Sequence, residues 1–132
     1  MLKPENAIRR EILLQAERNG DIKLGSVETD EAVNTFYDLL MQKALHYEYE
    51  SEFREGAVET EVPCDSCRHY ESKSVAMKTG NGIWIGWTYW YGGGKHGEPE
   101  AIPWMEEAYY LDCEETRQMV TVRKFTKKET PK

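Results

Sequence analysis

What the sequence lacks narrows it first. No apolar run in its 132 residues approaches the roughly 20 that a bilayer-spanning helix needs. The opening MLKPENAIRREILL carries charge along its length, so no secretory leader is expected. Cysteine is scarce and odd in number, with three residues, which excludes a disulfide framework and fits a reducing compartment. A cytoplasmic protein without membrane association is the expectation. Catalytic signatures are missing too: there is no HExxH pair, no serine elbow and no GxxxxGK[ST] loop, so zinc-protease, hydrolase and P-loop chemistry lack their usual residue sets.

What is present describes an ordinary folded chain with an unusual charge map. A mass of 15.4 kDa suits one core, so residues 1–132 are read as a single domain. The apolar fraction of 39% supplies that core and the charged fraction of 31% supplies a solvated surface. The net charge is −7, and its whole excess lies in residues 1–62, which hold 14 acids against 7 bases, while residues 63–132 hold 10 of each. Phosphate binding needs a basic footprint, so direct nucleic-acid binding by the first half is disfavoured. From Arg117 onward the sign reverses, with Arg117, Arg123, Lys124, Lys127, Lys128 and Lys132 against Glu129.

Periodicity gives the fold class. Pro4 to Asn19 reads as a helix, with Pro4 in the first turn, Ile8, Ile12 and Ala16 at helical spacing, and Gly20 placed for a left-handed stop. A second helix starts at Thr29 or Asp30 and runs through Val33, Phe36, Leu40 and Ala44. Tyr47 to Phe53 alternates aromatic and acid strictly, which predicts a half-buried strand. Gly56 then shifts the phase of Val58, Thr60 and Val62, as a bulge would. Further strands are predicted at His69 to Lys78 and Ile83 to Tyr91, joined by a Thr79-Gly80-Asn81-Gly82 hairpin turn. Trp104 to Ala108 suits one helical turn, and Tyr109 to Cys113 pairs with Gln118 to Thr126. The reading is α+β: two N-terminal helices, within about 4–46, on a twisted antiparallel meander of about five strands within 47–126, with a frayed basic tail at 127–132.

The candidate sites follow from that layout. As a strand, Ile83, Ile85, Trp87, Tyr89 and Tyr91 face one way and Trp84, Gly86, Thr88 and Trp90 the other, so both faces are rich in aromatics. A sheet packed on one side should be polar on the other. The helices and the long loop are one pair of covers; the alternatives are a second copy, or a protein or planar ligand, with Trp84, Trp87, Tyr89 and Trp90 as contacts. The loop Gly92-Gly93-Gly94-Lys95-His96-Gly97 exposes backbone amides beside Lys95 and His96 and is read either as a surface loop over the strand or as a seat for an anion, a nucleotide or another small molecule. An enzyme on the same loop would use His96 with Glu98, Glu106 or Glu107 as acid and base.

Two further clusters remain. Cys64, Cys67 and His69 have the spacing of half a zinc knuckle, with Cys113 or His96 as a distant fourth ligand; the alternatives are plain turn cysteines and disulfide redox chemistry, the latter disfavoured because no helix follows Cys67 to lower a thiol pKa. Glu48, Glu50 and Glu52, with Glu55, Glu59 and Glu61 beyond them, form an acidic row that either protects a sheet edge or docks on a basic surface.

The block WIGWTYWYGGGKHGEPEAIPWMEEAYYLDC, with VTVRKF after it, resembles the C-terminal half of small accessory proteins encoded by tailed phages and prophages. The resemblance covers about half the chain and implies a short protein that binds a host or phage protein, a class that includes acidic inhibitors of host defence nucleases. The reading is therefore a small acidic binding protein that also self-associates. No catalytic residue and no cofactor are assigned. The rival is a small-molecule-binding protein or enzyme built on residues 92–97.

Overall fold

The computed structural model describes residues 1–128. Three helices come first: α1 (Pro4–Arg18), α2 (Asp30–Gln42) and α3 (His46–Phe53). Four strands follow, β1 (Val58–Glu59), β2 (Glu71–Lys78), β3 (Trp84–Tyr91) and β4 (Tyr109–Leu111), with short 3-10 turns at Gly94–His96, Pro99–Ala101 and Met105–Glu107. The sheet is antiparallel in the order β1-β2-β3-β4. The α+β class and the meander stand, with three α-helices instead of two, four strands instead of about five, and further helical turns between β3 and β4.

The ends of the first two helices are local chemistry. Pro4 occupies the first turn of α1, where its missing N–H costs no bond, and Gly20 at φ +80° ends the helix in the left-handed region. Thr29 caps α2 by accepting the N–H of Ala32 on its hydroxyl. The Asn6 amide and the N–H of Lys3 both donate to Asp30, fastening the start of α1 to the start of α2 and holding that carboxyl below its usual range.

The core lies between the helices and one face of the sheet. Ile8, Ile12, Leu13, Val33 and Leu40 meet Val75, Ile85 and Trp87 there. Trp87 is fully buried, its indole N–H donates to the Arg54 carbonyl at 2.8 Å, and its ring lies 5.0 Å from that of Trp104. Trp104 arrives from the connection after β3. β4 pairs only with Trp84 to Gly86, and Pro99, Ile102 and Trp104 gather beside Thr88 to Trp90, closing the rest of that edge. On the opposite face Gly86 has no side chain because Tyr109 and Leu111 lie over it; an added Cβ would sit 2.7 Å from the Tyr109 ring.

Two predicted strands are corrected. Tyr47 to Phe53 is helical, because His46, Tyr49, Glu50 and Phe53 also recur at helical spacing and turn one side inward, leaving Tyr47 70% exposed. Gly56, at φ +67°, makes the turn from α3 into β1 instead of a bulge. Gln118 to Thr126 forms no strand in the described residues, so Tyr109–Leu111 ends the sheet. Of the tail predicted to fray at 127–132, residues 127 and 128 are exposed and irregular, and 129–132 lie outside the described residues. Among the described residues no helix is long and apolar enough to cross a membrane.

Candidate functional site

The site that the fold builds is a groove of about 670 Å³ between α3 and residues 100–106. Its α3 side carries Tyr47, Glu48, Glu50, Ser51 and Arg54. A helix turns by about 100° per residue, so Glu48 and Glu52 share one side while Glu50 points roughly 200° away from Glu48. The acidic row predicted on one strand face is thus divided: Glu48 and Glu52 are exposed and Glu50 is half-buried. Opposite, Pro99–Ala101 and Met105–Glu107 place Glu100 and Glu106 on the rim, with Ile102, Pro103, Trp104 and Met105 as an apolar floor.

The electrostatics are one-sided. Four carboxylates, of Glu48, Glu50, Glu100 and Glu106, line the groove against one cation, Arg54. That guanidinium is already engaged: it donates to the Trp90 carbonyl at 2.7 Å and stands 4.9 Å over the Tyr89 ring. Among the described residues, Glu48, Glu100 and Glu106 have no cationic side chain within 4 Å. Burial raises the Glu50 carboxyl above its usual range, and Glu106 adds to the effect, while His46, whose Nε2 lies 3.9 Å away, and Arg9 oppose it. Behind Glu50 the Tyr37 hydroxyl and His46 Nδ1 are buried without a hydrogen-bond partner among the described residues, and burial, then Glu50, push the Tyr37 phenol well above its ordinary value.

A pH prediction follows from the direction of the Glu50 shift. A carboxyl whose folded pKa is raised favours the folded state while protonated and loses that advantage as pH rises through the folded value. Glu50→Gln keeps the shape and has no charge to bury. The stability of the variant relative to the wild type is therefore expected to increase between about pH 4 and pH 7, read by thermal unfolding across that range. A constant difference would show that Glu50 bears no burial cost.

The residues singled out from sequence do not converge. Trp87 is in the core and has no surface to offer a partner. Trp84 and Trp90 are half-buried, near opposite ends of β3, and six residues of strand separate them by about 20 Å. Trp84 borders a hollow with Leu111, Asp112 and Cys113, and Trp90 packs beside Pro99 and Ile102. Tyr89 stacks on Tyr91 at 5.4 Å and receives Arg54 and Lys73 over its ring. Lys95 and His96 are exposed on the Gly94–His96 turn and neither lines the groove. Gly92, Gly93 and Gly94 all have positive φ, and at Gly93 a side chain would strike the Tyr70 ring at 2.5 Å, so this glycine run serves the turn itself. Cys64, Cys67 and Cys113 are free and exposed, His69 is exposed, and no group of three metal-binding side chains is assembled among the described residues.

Sequence reading missed Tyr47, Arg54, Glu100, Trp104 and Met105 as a set. The signal was there in two pieces: the helical spacing of His46, Tyr49, Glu50 and Phe53, and the Glu-flanked apolar run EAIPWMEE from residue 100 to 107. Nothing in either piece tells that they face each other. Comparison with known proteins brings no further assignment: no protein-family model, no curated protein and no solved structure matches the chain.

Proposed function

We propose that this protein is a binding module whose groove between α3 and residues 100–106 receives a basic, partly apolar segment of a protein partner. The observation that carries the reading is the mismatch inside the groove, four carboxylates with one engaged cation over a floor of Ile102, Pro103, Trp104 and Met105. A lysine or arginine side chain suits such a site chemically, because its methylene stem covers apolar surface while its charged head reaches a carboxylate. A cation beside Glu50 also offsets the cost of that buried charge. The acidic first half supports a basic partner, and the resemblance to phage accessory proteins supports a host or phage protein in that role, including a defence or nucleic-acid-handling protein whose own basic surface the groove would occupy.

The rival reading, a small-molecule or nucleotide site at residues 92–97 with His96, has less support, since Lys95 and His96 stand exposed outside the groove. The test is isothermal titration with a synthetic dodecapeptide alternating lysine and leucine, against wild type, the double variant Glu48→Lys/Glu100→Lys, and His96→Ala. Both reversed positions are exposed, so folding should be retained. Binding is expected to weaken roughly tenfold or more in the double variant, to stay unchanged in His96→Ala, and to weaken as salt rises. Equal affinity for wild type and the double variant would overturn the reading.

A further inference from the structure

The chain carries, beyond β4, a segment with the properties that the groove lacks. From Arg117 to Lys128 there are five bases, Arg117, Arg123, Lys124, Lys127 and Lys128, and no acid. Interleaved with them, Met119, Val120, Val122 and Phe125 are exposed by 103%, 77%, 88% and 87%. Four large apolar side chains in seven residues, all in solvent, make the densest run of exposed apolar residues among the described residues, where others such as Leu39, Met41 and Val58 are less exposed and more scattered. The charge map has the same division: residues 1–115 hold 23 acids against 11 bases, and residues 116–132 hold six bases against one acid.

The direction of β4 sets where this arm starts. β4 is antiparallel to β3, and its last residue, Leu111, pairs with Trp84 at the beginning of β3. The groove lies at the other end of that strand, where Arg54 bonds the Trp90 carbonyl. The arm therefore leaves the sheet at the end opposite its own groove, and its large apolar residues stay exposed to solvent. Two copies in antiparallel apposition would bring each arm to the other's groove and would close the arrangement as a two-fold dimer, with nothing left to propagate.

We infer that the protein forms a reciprocal dimer in which the basic arm, residues 117–128, of each copy occupies the acidic groove of the other. The inference rests on the groove reading above and names one occupant of that groove. Arg123, Lys124, Lys127 and Lys128 meet the carboxylates of Glu48, Glu50, Glu100 and Glu106, and the arm's apolar residues cover the floor around Ile102 and Trp104. Charge complementarity of this kind gives specificity and strong salt dependence.

Sedimentation velocity on the full chain tests it, comparing wild type with a groove variant, Glu48→Lys/Glu100→Lys, and an arm variant, Arg123→Glu/Lys124→Glu. Every substituted residue is exposed, and circular dichroism checks that both variants fold. The wild type is expected at twice the 15.4 kDa chain mass in low salt and at the single-chain mass near 1 M salt, where screening acts within about 3 Å. Each variant alone should run as a monomer. Their equimolar mixture should recover a dimer, because the two reversed charges in the arm of one then face the two reversed charges in the groove of the other with opposite sign, and the unaltered arm and groove still fit each other. A wild type that stays monomeric at high concentration and low salt overturns the inference, as does a dimer that survives in both variants. The synthetic peptide 117–128, titrated onto the arm variant, separates the two levels: its binding together with a monomeric wild type overturns the dimer alone, and its failure to bind overturns the groove reading as well.

Discussion

Replacing Trp87 by alanine is expected to lower the free energy of unfolding by about 3–5 kcal/mol, a large part of the roughly 5–15 kcal/mol that holds a domain of this kind together. The residue is fully buried, stacks toward Trp104, and satisfies the Arg54 carbonyl through its indole N–H. Its loss opens a cavity where α3, β3 and the 99–104 segment meet. Trp87→Phe separates packing from the hydrogen bond, because phenylalanine fills much of the ring volume but leaves the Arg54 carbonyl without its donor. That variant should lose about 1–3 kcal/mol. Urea unfolding with an unchanged denaturant slope measures both, and a loss below about 1 kcal/mol for the alanine variant would show that the core tolerates a void there.

Gly56→Ala is expected to be nearly as damaging for a smaller chemical change. At φ +67° a side chain strains the backbone, and its Cβ would stand 2.8 Å from the Val75 Cβ and 3.3 Å from the Ala76 nitrogen. The two effects, about 1–2 kcal/mol for the left-handed conformation and about 1–3 kcal/mol for overpacking, act at the turn that leads α3 into β1. Gly20→Ala provides the comparison, since Gly20 has φ +80° but no atom within 4 Å of the added Cβ. It should show the backbone cost alone. Equal losses at the two positions, measured by the same unfolding experiment, would mean that Val75 moves aside freely.

The parts of the fold legible in the sequence were those set by local chemistry. Pro4, Gly20 and Thr29 mark helix ends, Thr79 to Gly82 marks the hairpin turn, and each behaves as its residue type requires. The failures have physical causes. Tyr47 to Phe53 satisfies two periods at once, and what selects the helix is the packing of Tyr49 and His46 against the first two helices, where Tyr49 bonds Asn19 and Asp21. Ala44 ends α2 at φ +56° without being glycine, so no residue type announced that stop. The alternation at 118–126 has strand character, yet a strand exists only with a partner and none is paired to it among the described residues. Three of the four acids of the groove, Glu48, Glu50 and Glu106, were visible one by one, but their convergence with Glu100 depends on how residues 99–106 follow the edge of β3, a property of tertiary packing.

The same topology sets an order of assembly. Each strand pairs with its neighbour along the chain, and the β2-β3 hairpin needs only a tight turn to close. The clasp that completes the fold is different in kind: the Tyr110 hydroxyl of β4 donates to the carbonyl of Leu2, 108 positions earlier. Closing so long a loop carries an entropic cost that local pairing avoids. The sheet can therefore form early as a largely self-organised meander, while the seating of the N-terminal helix against β4 waits until nearly the whole chain has been made.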